Sequence, residues 1–443
     1  MAVPNWTGVF ATSLRRIRAE LRDPLTRNGY ALLLNIAITS VLGFLYWIFA
    51  ARAYTPAYLG LGAAALAIAQ LLAGIAGQPS ISNALTRFLP RAGPSATRLT
   101  VRAYAVAAFL GCVVSLLYVA ATHLGFRLPV VLGHGWLAVI LAVSVMGWCV
   151  FSLQDAVLTG TRQAIWVPLE NGLYNLGKIG LLLALAPISQ RYGIFASWIV
   201  PALVALVPVN LLIFRRILPR HASAGTRTPA VAPLRTMTRF VGGDYLGSIF
   251  MLATIDLLPV LVVTRLGAEA NGFFYVPFMI VVALDLVTIY LGMALTVEGA
   301  HDDSRLRHLV ASVLRRVCLF VVPAVAILLV FGPLVLRLYG PVYAAHSTGL
   351  LRLLALAVLV RVGRSLYVSL VRVHRQVSRI ALTQGTVFVL TMGLAWWLMG
   401  RLGLLGIGVA VLVTEVLTAA VVIPVMLLTL ARNKPTIAVT GAE

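Results

Sequence analysis

The chain has 443 residues, 60% of them hydrophobic and only 11% charged, where a soluble domain carries about 25% charged residues. Thirty-five Lys and Arg against thirteen Asp and Glu leave a formal net charge of +22. The apolar excess excludes a soluble globular protein and leaves no space for a soluble catalytic domain, so the charge has to be read by where it falls along the chain.

At about 20 apolar residues per membrane-crossing helix, the sequence predicts an all-α polytopic membrane protein of about twelve spans. They are placed at 30–51, 58–78, 103–123, 135–158, 165–186, 193–214, 240–264, 271–296, 317–336, 348–371, 380–400 and 404–430. Residues 1–28 form a basic cytoplasmic segment without the apolar core and small-residue cleavage site of a secretory signal, so the first span is expected to be retained. With the N-terminus inside, the inner segments hold most of the 35 cations, among them Arg15, Arg16, Arg87, Arg91, Arg215, Arg216, Arg315 and Arg316. Each outer turn holds one: Arg52, Arg127, Arg191, Arg265, Arg337 and Arg401. This alternation is the positive-inside pattern with both termini cytoplasmic. Together with attraction to the anionic inner leaflet it accounts for the basic charge without nucleic acid. Cys112, Cys149 and Cys318 lie in or beside spans with neither CxxC nor His-paired spacing, which indicates no disulfide framework and no metal site.

The longest hydrophilic connection, 215–239, has Arg-rich ends around HASAGTRTPAVAP and reads as a flexible cytoplasmic joint between an N-lobe (29–214) and a C-lobe (240–430), followed by a tail (431–443). Sliding the chain against itself by 212 residues sets Arg27 on Arg239 and Gly60 on Gly272. Two six-helix lobes of like orientation fit parallel repeats related by an axis along the membrane normal, a plan common in transporters.

Ionisable residues within spans are costly and usually face a bundle interior or a water-filled cavity. At 100° per residue, Asn171, Tyr174, Asn175 and Lys178 share one arc of the fifth span, with Glu170 at its edge. On the tenth span Arg361, Arg364 and Ser365 share a face, and a helix continuing inward would add Arg372, Arg375 and Arg379 to the stripe. Planar guanidinium donors suit phosphate oxygens. Arg361, Arg364, Lys178, Asn171 and Asn175 are therefore candidates for a cationic substrate cavity. Asp155, Glu170, Asp244, Asp256, Asp285 and Glu415 are candidates for charge pairing or for coupling to H+ or Na+. Pro259 and Pro277 lie near two of these carboxylates and either expose carbonyls or bend their helices. Glycines 172 and 177 with Lys178 have the spacing of a phosphate loop, but Ile179 stands where a Ser or Thr would hold magnesium, and the run lies within a span. The glycine clusters Gly74/Gly77 and Gly403/Gly406/Gly408 read as close helix packing.

Four stretches carry a resemblance. RNGYALLLNIAITSVLGFLYWIFAARAYTPAYLGLGAAA (27–65), GQPSISNALTRFLPRAG (77–93), VLTGTRQAIWVPLENGLYNLGKIGLLL (157–183) and FGPLVLRLYGPVYAAHSTGLL (331–351) resemble segments of Wzx-type lipid-linked oligosaccharide flippases. The resemblance implies the multidrug/oligosaccharidyl-lipid/polysaccharide (MOP) exporter superfamily: two helical lobes around a central cavity, and alternating access. It also implies a cargo, an undecaprenyl-pyrophosphate-linked repeat unit of O-antigen, capsule or exopolysaccharide, turned from the inner to the outer leaflet of the bacterial cytoplasmic membrane. Polysaccharide polymerase and glycosyltransferases would be the neighbouring partners. Some relatives have fourteen spans, and the sequence offers no thirteenth or fourteenth.

The rivals are a multidrug/cation antiporter of the same superfamily, a major facilitator porter and a membrane-embedded polymerase or glycosyltransferase. The facilitator's Asp-bearing, glycine-and-basic loop between its second and third spans is absent from NALTRFLPRAGPSATR (83–98), and the outer loops are too short and too poor in Asp, Glu and His for an enzyme. The flippase reading needs no cofactor. It expects Arg361→Ala with Arg364→Ala to abolish glycan export, measured on the cell surface, at unchanged protein abundance.

Overall fold

The computed structural model describes residues 24–124, 135–224, 234–299, 306–374 and 376–432. Its α-helices, in chain order, are α1 Pro24–Ala53, α2 Pro56–Ile75, α3 Gln78–Phe88, α4 Ala96–His123, α5 Gly135–Gly160, α6 Val167–Leu185, α7 Gly193–Leu212, α8 Leu218–Ala224, α9 Leu234–Leu266, α10 Ala268–Gly299, α11 Leu306–Arg337, α12 Pro341–Val373, α13 Val377–Leu402 and α14 Leu404–Arg432. Every predicted span falls on a helix of its own. Eleven helices among the described residues are long and apolar enough to cross a membrane. The twelfth, α6, has 19 residues and includes Glu170, Asn171, Asn175 and Lys178, which lower its hydropathy. Arg375, Arg127, Arg227, Lys434 and the first 23 residues lie outside the described residues, as does the side chain of Asp244.

Local chemistry sets the helix ends. Pro56 opens α2 with its φ already helical, and the Thr55 hydroxyl accepts from the Tyr58 amide at 3.4 Å. The helix stops at Gly77, whose φ of +80° is left-handed and suits glycine. The Tyr245 hydroxyl donates to the Ile75 carbonyl that this break leaves over, at 2.8 Å. Gly77 therefore breaks the chain between α2 and α3 and Gly403 (φ +55°) turns α13 back onto α14, whereas Gly74, Gly406 and Gly408 are tight packing positions as expected.

The stretch after Gly77, on which the sequence makes no prediction, forms α3 and two 3-10 turns, because Ser80, Ala84 and Leu85 recur on one helical face and bury it. Two expectations are corrected. The joint predicted at 215–239 is helical over 215–224 and 234–239, with 225–233 outside the described residues: α7 runs through a π-helical turn, Ile213–Ile217, into α8, with Ile213, Ile217 and Leu218 buried. Here the His221 ring nitrogen donates to the Leu89 carbonyl at 3.2 Å. The arginine stripe of the tenth span does not continue along one helix either. It stops when α12 ends at Val373, and Arg379 stands on α13.

Helices α1 to α7 pack mainly among themselves, and so do α9 to α14. The seam is made by α2 lying against α9 and α10, with α3 against α9. On the other side of the seam, α1 reaches the C-lobe through its last turns. Trp47 meets Tyr275 (4.7 Å between centroids), Phe44 meets Tyr339 edge-on, and Arg52 Nε donates to the Leu338 carbonyl at 2.8 Å.

At the centre of the seam, Gly60 and Gly272 touch. A Cβ on Gly60 would lie 1.9 Å from the Ala268 carbonyl oxygen and 2.7 Å from the Gly272 amide, and one on Gly272 would lie 2.1 Å from the Pro56 carbonyl oxygen. These contacts are reciprocal under the 212-residue offset, which pairs 56 with 268 and 60 with 272. Asn271 adds a hydrogen bond from its amide to the Gly60 carbonyl, 2.7 Å. The obstacles are backbone atoms, so Gly60→Ala or Gly272→Ala is expected to lower the melting temperature in detergent by the equivalent of about 1–3 kcal/mol. Gly43→Ala and Gly180→Ala, where nothing lies within 4 Å, should leave it unchanged or raise it.

Candidate functional site

A charge in the hydrocarbon region is tolerated when a partner inside the bundle replaces water. Helix α12 packs against both α10 and α14, which brings together two arginines and two carboxylates that the sequence scatters over 130 positions. Arg364 binds Glu415 with two parallel bonds, Nε to Oε2 at 2.9 Å and Nη2 to Oε1 at 2.8 Å. This is the fork geometry that makes guanidinium–carboxylate pairs strong. Arg361 donates from Nε to Glu415 Oε1 at 2.7 Å and from Nη1 to Asp285. The remaining Arg364 nitrogen, Nη1, donates to Gln384 Oε1 at 3.0 Å. Glu415 is 2% exposed and bridges the pair, while 22% of the Arg361 side chain remains open.

These groups line a cavity of about 290 Å³ within the C-lobe. Its wall is mixed: Met251, Ile255, Leu258, Phe278, Val281 and Val411 are apolar, while Ser365, Ser369 and Arg372 continue the polar side of α12. The expected common face of Arg361, Arg364 and Ser365 is thus the cavity wall. Arg372 also lies on it and has no ion pair among the described residues. Counting Arg361, Arg364 and Arg372 against Asp285 and Glu415, the wall carries one cation in excess.

The other candidates sit elsewhere. Lys178, Asn171 and Asn175 belong to the N-lobe and do not reach this cavity. The Asn171 amide donates to both oxygens of Asp155, at 3.2 and 3.0 Å, and the Asn175 amide donates to the Asn171 carbonyl at 2.8 Å. Glu170 is buried, and neither of its oxygens has a hydrogen-bond partner among the described residues. Asp256, on α9, is also buried with one oxygen unpartnered there. The five-residue cationic set read from the sequence is therefore two sites: an arginine–carboxylate network in one lobe and a lysine with amides in the other.

Sequence reasoning missed Gln384 and the aromatic surroundings of Lys178. A lone Gln inside a span was a signal for the first. For the second the sequence offered only Tyr174 on the lysine's own arc, since Tyr46 and Trp198 lie on two other helices whose packing no spacing rule reveals.

The backbone arrangement was compared with solved structures. An inward-facing multidrug resistance MATE family transporter of the MOP superfamily matches with a TM-score of 0.63 at 16% identity, over 92% of this chain and 96% of the other. An outward-facing MATE transporter matches at 0.62 and 16%, over 94% and 97%. The fold is MATE-like. A MOP transporter from Pyrococcus furiosus, for which a binding pocket of reversed polarity suggests a different function, shares it at 0.59 and 15% identity, over 93% and 97%. Inward- and outward-facing forms match almost equally, so the likeness is one of architecture. No protein-family model and no curated protein matches the sequence. At these identities the likeness is one of fold alone.

The network makes a substitution of both arginines harder to read than the sequence suggests, because it strips Asp285 and Glu415 of their partners. Glu415→Ala alone leaves two buried guanidinium groups short of a carboxylate and is expected to cost roughly 3–5 kcal/mol. Arg364→Leu with Glu415→Leu, which keeps Arg361 on Asp285, should melt higher in detergent than either single variant.

Proposed function

We propose that the chain is a flippase that moves an undecaprenyl-pyrophosphate-linked oligosaccharide, a repeat unit of O-antigen, capsule or exopolysaccharide, from the inner to the outer leaflet of a bacterial cytoplasmic membrane by alternating access. The MATE-like fold supports a transporter rather than an enzyme. The observation that carries the cargo class is the arginine wall of the C-lobe cavity. Both of its carboxylates are already taken by Arg361 and Arg364, so an organic cation entering there meets guanidinium groups and no free acid. A pyrophosphate offers the same bidentate acceptor geometry as Glu415 and can replace that carboxylate on Arg364 or Arg361, with Arg372 as a further donor. The apolar part of the wall suits the first prenyl units, and the rest of the lipid tail remains in the bilayer.

Glu170 and Asp256 are left for coupling to H+ or Na+, with membrane potential as the alternative source of work. Glycosyltransferases supply such a cargo and a polysaccharide polymerase consumes it. The same two unpartnered carboxylates are what favour the second reading, a multidrug/cation antiporter.

Deleting the gene and assaying which leaflet holds the lipid-linked oligosaccharide separates the two. Complete units accumulating on the cytoplasmic face support the flippase; normal surface glycan with raised drug sensitivity supports the antiporter. Arg361→Lys with Arg364→Lys retains both charges but loses the planar fork. It is expected to cut surface glycan at least tenfold at undiminished protein abundance, read by immunoblot, since each lost charge-assisted bond is worth about 1.5–3 kcal/mol.

A further inference from the structure

Lys178 is 3% exposed, and a buried ammonium ordinarily faces a carboxylate. Lys178 does not. Among the described residues it has no ion pair and no hydrogen bond, and Glu170 on the same helix is eight positions away, about 12 Å along the axis. Three aromatic faces take the carboxylate's place. The ammonium nitrogen lies 4.2 Å from the ring centre of Trp198 on α7, 4.6 Å from that of Tyr46 on α1 and 5.3 Å from that of Tyr174 on α6. All three are within the roughly 6 Å over which a ring face attracts a cation, and the attraction is largest where water is excluded.

The rings are also held by contacts that do not involve the lysine. The Tyr46 hydroxyl is bonded to Ser197 Oγ at 2.8 Å and donates to the Ile194 carbonyl at 3.3 Å, and the Tyr174 hydroxyl donates to the Trp198 carbonyl at 3.4 Å. Trp148 packs on Trp198 with ring centres 5.8 Å apart, and Phe151 packs on Tyr174 at 4.8 Å. A box of electron-rich faces fixed from outside is pre-organised for an ammonium, whether or not that ammonium is tethered to the chain.

We propose that Tyr46, Tyr174 and Trp198 form an alkylammonium-binding site in the N-lobe which Lys178 fills as a tethered ligand, and that Lys178 is the specificity-determining residue that denies this site to cationic solutes. The assignment concerns the N-lobe alone and holds for any cargo of the C-lobe cavity.

Lys178→Ala removes three carbons and the nitrogen, the heavy atoms of propylammonium. In purified Lys178→Ala protein, millimolar propylammonium or tetramethylammonium is expected to raise the melting temperature by about 2–4 °C, with no shift in the wild-type protein. Propan-1-ol, of equal size and no charge, should produce none. Absence of any shift with the cations, or an equal shift with propan-1-ol, overturns the proposal, the latter because it would mark a plain cavity. A cycle between Lys178→Met and Trp198→Leu covers the case in which the alanine variant does not fold. Trp198→Leu should lower the melting temperature more when Lys178 is present than in the Lys178→Met protein, and equal losses in the two backgrounds overturn the proposal.

Discussion

A charge withdrawn from water into a bilayer-spanning bundle has to be compensated by the bundle itself, and the arrangement of both lobes follows from how that is done. The C-lobe does it with opposite charge: Glu415 is shared between two guanidinium groups, Asp285 takes the outer nitrogen of one and Gln384 the free nitrogen of the other. This fixes α10, α12, α13 and α14 relative to one another through directional bonds, where lipid tails leave no hydrophobic force between helices. The N-lobe does it with ring quadrupoles around Lys178 and with an amide on Asp155. The two lobes thus stabilise a membrane-embedded cation by two different kinds of physics.

The contrast bears on selectivity. An ion-pair network offers exchangeable partners, since an anion of the right shape can take the place of a carboxylate. A ring cage offers no acceptor to exchange and accepts only another cation. On the reading proposed above, the C-lobe cavity would take an anion, and the lysine would keep the N-lobe from adding a competing site of the opposite preference.

Much of the architecture was legible in the sequence because the bilayer imposes a length and a hydropathy on each span, and helices of about 20 apolar residues announce themselves. Boundaries were less so. The helices overrun their apolar cores, as α11 does by starting at Leu306 when the apolar run begins near 317, because arginine-bearing turns remain helical at the interface. The helix over 78–88 was not legible because its apolar positions are few, and the helical ends of the joint were not because Ile213, Ile217 and Leu218 are buried by packing that no local pattern advertises. Arg361 and Arg364 were legible as a face, since 100° per residue is a local rule. Their partners were not, because Asp285, Gln384 and Glu415 come from three other helices. The grouping of Lys178 with those arginines failed for the same reason: like charge in a sequence carries no information about which lobe a side chain enters.

The reciprocal contact at Gly60 and Gly272 has a further meaning. Each glycine presses on the backbone beside the other, and the positions involved exchange roles under one constant offset, which is the signature of an isologous interface. Since the atoms pressed upon are main-chain, the contact makes no demand on the side chains at 56 and 268, which differ. A half-length chain bearing one such glycine could therefore have met a second copy of itself, in parallel across the membrane, through this same surface. Fusion of two such chains would then have kept this contact, while the broader packing of α2 and α3 on α9 is not reciprocal and belongs to the joined chain.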